Sequence, residues 1–296
     1  MFEAIYVQTT TECNAKCKMC PHYQIYGNME PEQMSDEVWD KILSDIKEID
    51  YRGQVGFLLF GEPLTDPKLF QRIKEVNETN AWALVSTNGS LLTSANRKKL
   101  IEAHPRQVVF NVPSGDSGQY EALTGLEFKA VSKIQKFIEE AGNIKMSVNV
   151  PVIEDVDFEK IYKLFNIPVN IFEATSRGGL LEYHGKGQFT GNMCTQPFKT
   201  LSILIDGQIV LCCQDWAQFS NGFFPNILDS SIKEIYESKE LETIKSEFAK
   251  GNYNKFEFCH NCAIELGYIN ETERADEGEY TVMPEGSGDT EEISEI

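Results

Sequence analysis

Three cysteines lie within eight residues near the amino terminus, in "CNAKCKMC" (13–20), with the spacing C-x3-C-x2-C. Thiolate is the soft ligand that iron–sulfur clusters and zinc prefer. A four-iron cluster takes one ligand per iron, so three cysteines leave one iron open to a substrate or cofactor. Zinc fits less well, because a structural zinc site takes four ligands and the nearby candidate, His22, follows Cys20 by only two positions. The spacing therefore favours an open iron–sulfur cluster over zinc.

The elements that must position these cysteines alternate between apolar strands and amphipathic helical stretches. Near-continuous apolar strands that alternate with helices predict an α/β fold with a parallel sheet, either a partial (β/α)6 barrel or an open doubly wound sheet. In both, ligands bind at the carboxyl ends of the strands, and the three cysteines follow the first strand. The predicted strands are 4–10, 54–60, 81–87, 106–112, 144–150 and 168–174, and the helices between them are 35–49, 66–79, 93–103, 128–141 and 156–165.

The pattern changes after Gly178. A glycine-rich connector (183–192) is followed by a predicted hairpin (201–213), with Asp206-Gly207 in its turn, and two helical stretches (230–238 and 239–250) come next. This change predicts a second, smaller domain.

The chain has 296 residues and a formal net charge of −19. Residues 271–296 carry ten acidic residues against one basic, Arg274, and predict a disordered acidic tail. An acidic body disfavours nucleic acid, and it would suit a cationic substrate, although a solvated surface is the commoner explanation. No apolar run is long enough to span a membrane and no signal peptide is evident, so we expect a cytoplasmic protein with reduced cysteines.

The first cysteine group resembles the signature of the radical SAM superfamily, with Met19 as the apolar residue before the last cysteine. The resemblance implies a 4Fe–4S cluster on Cys13, Cys17 and Cys20, whose open iron binds S-adenosylmethionine (SAM). It also implies reductive cleavage of SAM to a 5′-deoxyadenosyl radical that abstracts hydrogen from a C–H bond.

Further segments resemble the family at the ends of strands: "FGEP" (60–63) after the second, "STNG" (86–89) after the third, "SVNV" (147–150) on the fifth and "SRGG" (176–179) after the sixth. In the family such segments hold the methionine ammonium, the ribose and the carboxylate of SAM. Each segment can also be explained without a cofactor, as a turn, a strand or a surface arginine. The resemblance assigns cofactor-binding roles to Met19, Gly61, Glu62, Pro63, Ser86, Asn88, Ser147, Asn149 and Arg177.

The later cysteines resemble the shortened auxiliary-cluster domain called twitch, a relative of SPASM. Gly207-x4-Cys212 and the pair 259 and 262 carry this resemblance, and it implies one auxiliary 4Fe–4S cluster, although four cysteines also suit zinc. The expected organisation is a partial barrel (1–182), an auxiliary-cluster domain (183–270) and the tail (271–296). The implied auxiliary ligands are Cys194, Cys212, Cys259 and Cys262.

The resemblance favours a dehydrogenase of a small polyol or amino sugar. Cys213 is left over, either as a buried hydrophobe or as a catalytic hydrogen-atom donor, which a radical epimerase would need. Peptide modification is a further possible reaction, and a non-catalytic zinc-binding module is a possible function of a different class. We expect a small-molecule or peptide substrate and a one-electron donor such as flavodoxin or ferredoxin, with no nucleic acid and no membrane as partners.

Overall fold

The computed structural model describes residues 1–152, 156–182 and 193–269. The predicted connector (183–192) and the predicted acidic tail (271–296) lie outside these residues. Within the described ranges, no helix combines the length and the apolar character that crossing a membrane requires.

Within these ranges, eight strands form one sheet in the order β6-β5-β4-β3-β2-β1-β7-β8. The first six are parallel neighbours in sequence order, as predicted, with Ile5 opposite Val55 at the β1–β2 pair. The strands are β1 (Ala4–Val7), β2 (Gln54–Phe57), β3 (Trp82–Thr87), β4 (Gln107–Asn111), β5 (Lys145–Val152), β6 (Val169–Glu173), β7 (Thr200–Ile203) and β8 (Ile209–Val210).

Eleven α-helices lie in the described part of the chain, and the five predicted between the first six strands are among them. Two begin at caps that the sequence signals: the Ser35 hydroxyl accepts a hydrogen bond from Val38 N, and Thr93 accepts one from Asn96 N. The helices are α1 (His22–Tyr26), α2 (Asp36–Glu48), α3 (Leu69–Asn77), α4 (Ser94–Ala103), α5 (Ser117–Thr124), α6 (Lys129–Glu140), α7 (Phe158–Leu164), α8 (Gln196–Lys199), α9 (Ile232–Tyr236), α10 (Lys239–Ala249) and α11 (Glu257–Glu265).

Helix α5 is absent from the sequence-based assignment, which has no helix between the fourth strand and residue 128. Its apolar periodicity is weak, and its ends are set locally. The Asp116 carboxylate accepts a hydrogen bond from Gln119 N at the start, and Gly125, with φ of 68°, ends the helix.

One face of the sheet packs against the helices. Ile5, Val55, Val85 and Val108 are fully buried there, and helix residues such as Ile42 belong to the same core. Because side chains alternate along a strand, the residues between these apolar positions face away from the helices. Because the described helices between the strands pack on the apolar face, we call the other face the helix-free face, and a ligand can reach the carboxyl ends of the strands there.

The hairpin of β7 and β8 forms as predicted, with Gly207 at φ of 82° in its turn. It does not form a separate sheet, because β7 pairs in parallel with β1, with Tyr6 opposite Ser202. The hairpin of the second domain is therefore hydrogen-bonded directly to the strand that leads into the first cysteine loop.

Candidate functional site

The first cysteine loop runs from the end of β1 to α1. Its backbone is held by α5, because Lys16 N donates to Thr124 O at 2.8 Å and Lys18 N donates to Leu123 O at 2.9 Å. Within the loop, Cys20 N donates to Cys17 O at 3.1 Å. The helix that the sequence pattern did not predict thus fixes the shape of the loop.

The thiols of Cys13, Cys17 and Cys20 lie close enough to influence one another. Burial raises the pKa of Cys13 to about 12, with the nearby Glu62 and Cys20 adding to the effect. Burial also raises the pKa of Cys17 and of Cys20. Buried thiolates need compensating positive charge, and a bound metal cluster supplies it. The three side chains therefore fit the open cluster expected from the sequence.

His22 is engaged elsewhere. Its ring Nε2 lies 2.8 Å from Thr11 O, and the buried ring packs against that of Tyr26 at a tilt of 36°. Burial lowers its pKa. This arrangement uses the imidazole to hold the loop and gives no support to a zinc site with His22 as fourth ligand.

The "FGEP" segment follows β2 and packs tightly against the end of β1. A Cβ at Gly61 would lie 2.3 Å from Thr10 O, so only glycine fits there. Glu62 is 2% exposed, and its carboxylate accepts hydrogen bonds from Leu64 N (3.1 Å), Thr87 Oγ1 (2.6 Å) and Asn88 N (2.8 Å).

Burial raises the pKa of Glu62, while these three donors oppose the rise. The structure thus gives Glu62 an organising role between the ends of β2 and β3. Its expected contact with the SAM ammonium stays a prediction. Pro63, also expected to bind SAM, begins a short 3-10 helix (Pro63–Thr65) and is buried.

The "STNG" segment spans the end of β3 and the two residues after it, and it contacts the first cysteine loop. Asn88 Nδ2 donates at 3.0 Å to the side-chain oxygen of Asn14, the residue after Cys13. Asn88 Oδ1 accepts a hydrogen bond from Ser90 N at 2.9 Å. The Thr87 hydroxyl donates a hydrogen bond to the Glu62 carboxylate. Asn88 thereby supports the cysteine loop.

Four polar side chains cross the helix-free face on consecutive strands. Asn111 Nδ2 donates to Ser86 Oγ at 3.0 Å, and Asn170 Nδ2 donates to Asn149 Oδ1 at 3.1 Å. Asn111 lies directly opposite Asn149 in the β4–β5 register. We call Ser86, Asn111, Asn149 and Asn170 the polar row.

Asn111 and Asn170 received no role from the sequence patterns. Their alternation with buried apolar residues, such as Phe110, could have placed them on the ligand-facing side. Ser147 lies on the same face of β5, two residues before Asn149. Its buried hydroxyl has no hydrogen-bond partner among the described residues, and such a group indicates a site that a ligand completes.

Four of the later cysteines line a small apolar cavity of about 20 Å³. Burial raises the pKa of all four thiols, that of Cys262 to about 12. Among the described residues, no group of three or more His, Cys, Asp or Glu side chains is arranged to hold a single metal ion. Four soft thiol donors around one cavity fit an iron–sulfur cluster. The lining includes Cys194, Cys212, Cys259 and Cys262 together with Phe248, Tyr253 and Phe258.

Cys213 is not part of that cavity lining. Burial raises its pKa and the Arg177 guanidinium opposes the rise, while Cys213 itself contributes to the raised pKa of Tyr6 on β1. The adjacent Asp215 is fully buried and accepts hydrogen bonds from Phe219 N and from the backbone and hydroxyl of Ser220. Asp215 thus shapes the loop after the two cysteines.

Met19 lies within the first cysteine group, and Arg177 contacts both this group's loop and the loop after Cys213. Met19 is buried with Leu123 and Ala174. Arg177 Nε donates to Met19 O at 3.5 Å, and Arg177 Nη1 donates to Gln214 Oε1 at 3.2 Å.

Comparison with known proteins agrees with this geometry. The family model of the radical SAM superfamily matches residues 7–166, and that of SPASM, an iron–sulfur cluster-binding domain, matches residues 194–263. The radical SAM domain implies a 4Fe–4S cluster and SAM, and the SPASM domain implies auxiliary iron–sulfur binding.

Two curated relatives are similar in sequence. The S-adenosyl-L-methionine-dependent 2-deoxy-scyllo-inosamine dehydrogenase of Niallia circulans is 20% identical over 268 residues, which cover 88% of this chain and 93% of that protein. The tungsten-containing aldehyde ferredoxin oxidoreductase cofactor-modifying protein of Pyrococcus furiosus is 29% identical over 154 residues. That match covers 50% of this chain and 43% of the relative's length.

Two solved structures share the fold. BtrN in complex with AdoMet and 2-DOIA superposes with a TM-score of 0.63 at 19% identity, covering 88% of this chain and 92% of that one. Streptococcus suis SuiB bound to precursor peptide SuiA superposes with a TM-score of 0.66 at 16% identity, covering 82% of this chain and 66% of that one. These likenesses confirm the predicted partial barrel with a carboxyl-terminal SPASM-type domain. The chain belongs to the radical SAM superfamily, and it is a radical SAM enzyme with an auxiliary iron–sulfur domain.

Proposed function

We propose that this enzyme oxidises a secondary alcohol of a small polyol or amino sugar to a ketone. The observation that carries the proposal is the polar row, Ser86, Asn111, Asn149 and Asn170, on the helix-free face of the sheet. Amide and hydroxyl groups both donate and accept hydrogen bonds, which suits a ligand with several hydroxyl groups. The full-length similarity to a 2-deoxy-scyllo-inosamine dehydrogenase supports the same class of substrate.

The reaction removes two electrons and two hydrogens from the alcohol. When bound, SAM and the two clusters would supply reductive SAM cleavage, removal of the carbon-bound hydrogen atom and an acceptor for the second electron. The hydroxyl proton leaves to water, and a C=O bond forms. We assign Cys13, Cys17 and Cys20 to the first cluster and the four cavity cysteines to the second.

In this proposal the protein binds and orients the substrate. Asn111 and Asn170 of the polar row bind the hydroxyl groups of the substrate, and Ser86 and Asn149, which we expect to contact SAM, hold these two amides by hydrogen bonds. The unpartnered Ser147 hydroxyl on the same face offers one more hydrogen bond to substrate or cofactor. Asn88 and Glu62 hold the strand ends against the cysteine loop, so that the reacting carbon and the radical source keep one geometry.

The test uses anaerobically reconstituted enzyme with SAM, dithionite and a panel of cyclitols and amino sugars. A substrate deuterated at the reacting carbon should pass its deuterium to 5′-deoxyadenosine and yield a carbonyl product. Asn170→Ala should raise KM for the sugar at least about tenfold while leaving substrate-free SAM cleavage unchanged, because it removes a hydrogen-bonding group from the row. A product that retains all its hydroxyl groups would exclude the dehydrogenase.

Radical epimerisation is the second candidate. The observation that favours it is the position of Cys213, outside the cavity lining and near Arg177 and Tyr6. In an epimerase, Cys213 would give a hydrogen atom to the substrate radical. Deuterium from the solvent in the product, absent when Cys213 is replaced by alanine, would support this reaction. The structure of SuiB bound to a precursor peptide suggests a peptide as an alternative substrate for such a reaction.

We further propose that reduced flavodoxin or ferredoxin supplies the electron, and that the enzyme acts in the cytoplasm. The eight cysteines support a reducing compartment, since all of them are free thiols in the structure. Replacement of dithionite by a purified flavodoxin system should sustain SAM cleavage.

A further inference from the structure

The segment after β6, Ser176–Gly179, is fastened to the helix that carries the last two cysteines. Ser176 N and Ser176 Oγ each donate to the Glu265 carboxylate at 2.7 Å, and Asn261 Nδ2 donates to Gly178 O at 3.2 Å. Gly179 N donates back to Ser176 Oγ at 3.0 Å. The segment and α11 therefore form one rigid contact.

The backbone of this segment is unusual. Arg177 has φ of 56°, in the left-handed region that a non-glycine residue seldom adopts, and Gly178 and Gly179 follow with φ of 71° and 96°. A Cβ at Gly178 would lie 2.7 Å from Phe258 Cβ. Strain in a non-glycine residue persists where the surrounding structure fixes it, and it is often found at functional sites. Here the strained residue directs its side chain toward the first cysteine loop.

That side chain reaches both cysteine groups. Its Nε donates to the carbonyl of Met19, the residue before Cys20, and its Nη1 donates to Gln214, the residue after Cys213. Gln214 itself lines the cavity of the four later cysteines, so the guanidinium is one hydrogen bond away from the surroundings of each expected cluster. Since arginine stays protonated in proteins, the charge between the two groups is permanent.

We propose that Arg177 is a positioning residue whose charge raises the reduction potentials of both clusters together. A fixed positive charge favours the reduced cluster, which carries one more negative charge than the oxidised cluster. Each cluster is reduced by one electron from an external one-electron donor, such as dithionite. A unit charge about 10 Å away in a medium of dielectric about 20 changes such an equilibrium roughly tenfold. The inference requires the two clusters but no particular substrate, so it stands or falls separately from the proposed function.

The experiment is a redox titration of the reconstituted protein, monitored by electron paramagnetic resonance, without SAM and without substrate. Arg177→Gln should lower both potentials by about 59 mV, the tenfold change for a one-electron couple. Arg177→Lys, which keeps the charge, should leave both near the native values. Ser176→Ala, which loosens the segment and keeps the guanidinium, controls for a purely structural effect. Iron content and circular dichroism establish that each variant is folded and loaded.

Gln214→Glu gives a second measurement if Arg177→Gln does not retain both clusters. A carboxylate at this position would neutralise the guanidinium in place, and both potentials should fall. Because Gln214 also lines the second cavity, the potential of the first cluster is the decisive reading. Gln218→Glu is the matched control, because it adds the same charge to the same loop at a side chain that bonds to Tyr26 instead. Unchanged potentials in Arg177→Gln, a shift of one cluster alone, or equal shifts in Gln214→Glu and Gln218→Glu would each overturn the proposal.

Discussion

Substitution of Gly61 by alanine tests how closely the end of β2 must approach the first cysteine loop. The added Cβ would lie 2.3 Å from Thr10 O and 3.2 Å from Glu12 O, and both are backbone atoms in the stretch that leads into Cys13. Glu62 N donates to Glu12 O at 2.8 Å, so the two segments are also joined by a hydrogen bond. Neither backbone can yield without moving the loop.

The expected displacement follows from the contact distance. Carbon and oxygen atoms in contact keep a separation of roughly 3.3 Å, so the alanine methyl must push the two segments apart by about 1 Å. A misplacement of about 1 Å in a catalytic arrangement costs about 100-fold in rate. We therefore expect Gly61→Ala to form 5′-deoxyadenosine from SAM and dithionite about 100 times more slowly per cluster than the native enzyme.

The matched control is Gly118→Ala in α5. A Cβ there meets nothing closer than Asp116 Oδ1 at 3.5 Å, an ordinary contact, and alanine favours a helix over glycine by about 1 kcal/mol. Its rate of 5′-deoxyadenosine formation should stay within about twofold of the native rate, since it moves neither the loop nor β2. If Gly61→Ala cleaves SAM as fast as Gly118→Ala, the close approach of Gly61 to Thr10 does not affect catalysis, and the prediction is wrong.

Two further predictions concern the buried ion pair and the paired cysteines. Asp66→Asn should lower the free energy of unfolding by about 3–5 kcal/mol in urea titrations, because it removes the counter-charge of a buried arginine. That arginine, Arg72, is 1% exposed and lies 2.9 Å from Asp66. A loss of stability no larger than that of the exposed control Asp36→Asn would contradict this. Cys212→Ala should reduce the iron content from about eight atoms per chain to about four, because it removes a ligand of the auxiliary cluster, whereas Cys213→Ala should keep about eight. The reverse pattern would make Cys213 the ligand in place of Cys212.

The sequence predicts the strands well because their signal is local. Runs such as 54–60 and 106–112 are apolar and bounded by polar or glycine residues, and each contains an observed strand, Gln54–Phe57 and Gln107–Asn111. These two strands end before the apolar runs do, since the residues that follow them belong to the loops at the carboxyl ends of the strands. The cysteine spacing likewise identifies the cluster chemistry without any structure.

Long-range pairing is the part that sequence patterns did not supply. The parallel contact of β7 with β1 joins segments that are far apart in the chain, and nothing in the local composition of Thr200–Ile203 specifies its partner. The engagement of Glu62 by Thr87 is similar, because each residue lies in its own turn motif and the hydrogen bond needs both strands to be in place. Local patterns thus identified the site segments but left their mutual contacts open.

The charge of the whole chain and the side chains of the site indicate different classes of substrate, and we base the prediction on the site because its groups would contact the ligand. A net charge of −19 suits a cationic ligand, but the polar row consists of amides and a hydroxyl, and Arg177 places a positive charge between the cysteine groups. A polyamine would have to give up water around each ammonium without a carboxylate from the row, which is costly. Hydroxyl groups exchange their water for amide partners at little cost, and a single amino group can remain at the solvent side. A hydroxyl-rich ring with at most one amino group therefore matches the described face better than a polycation does.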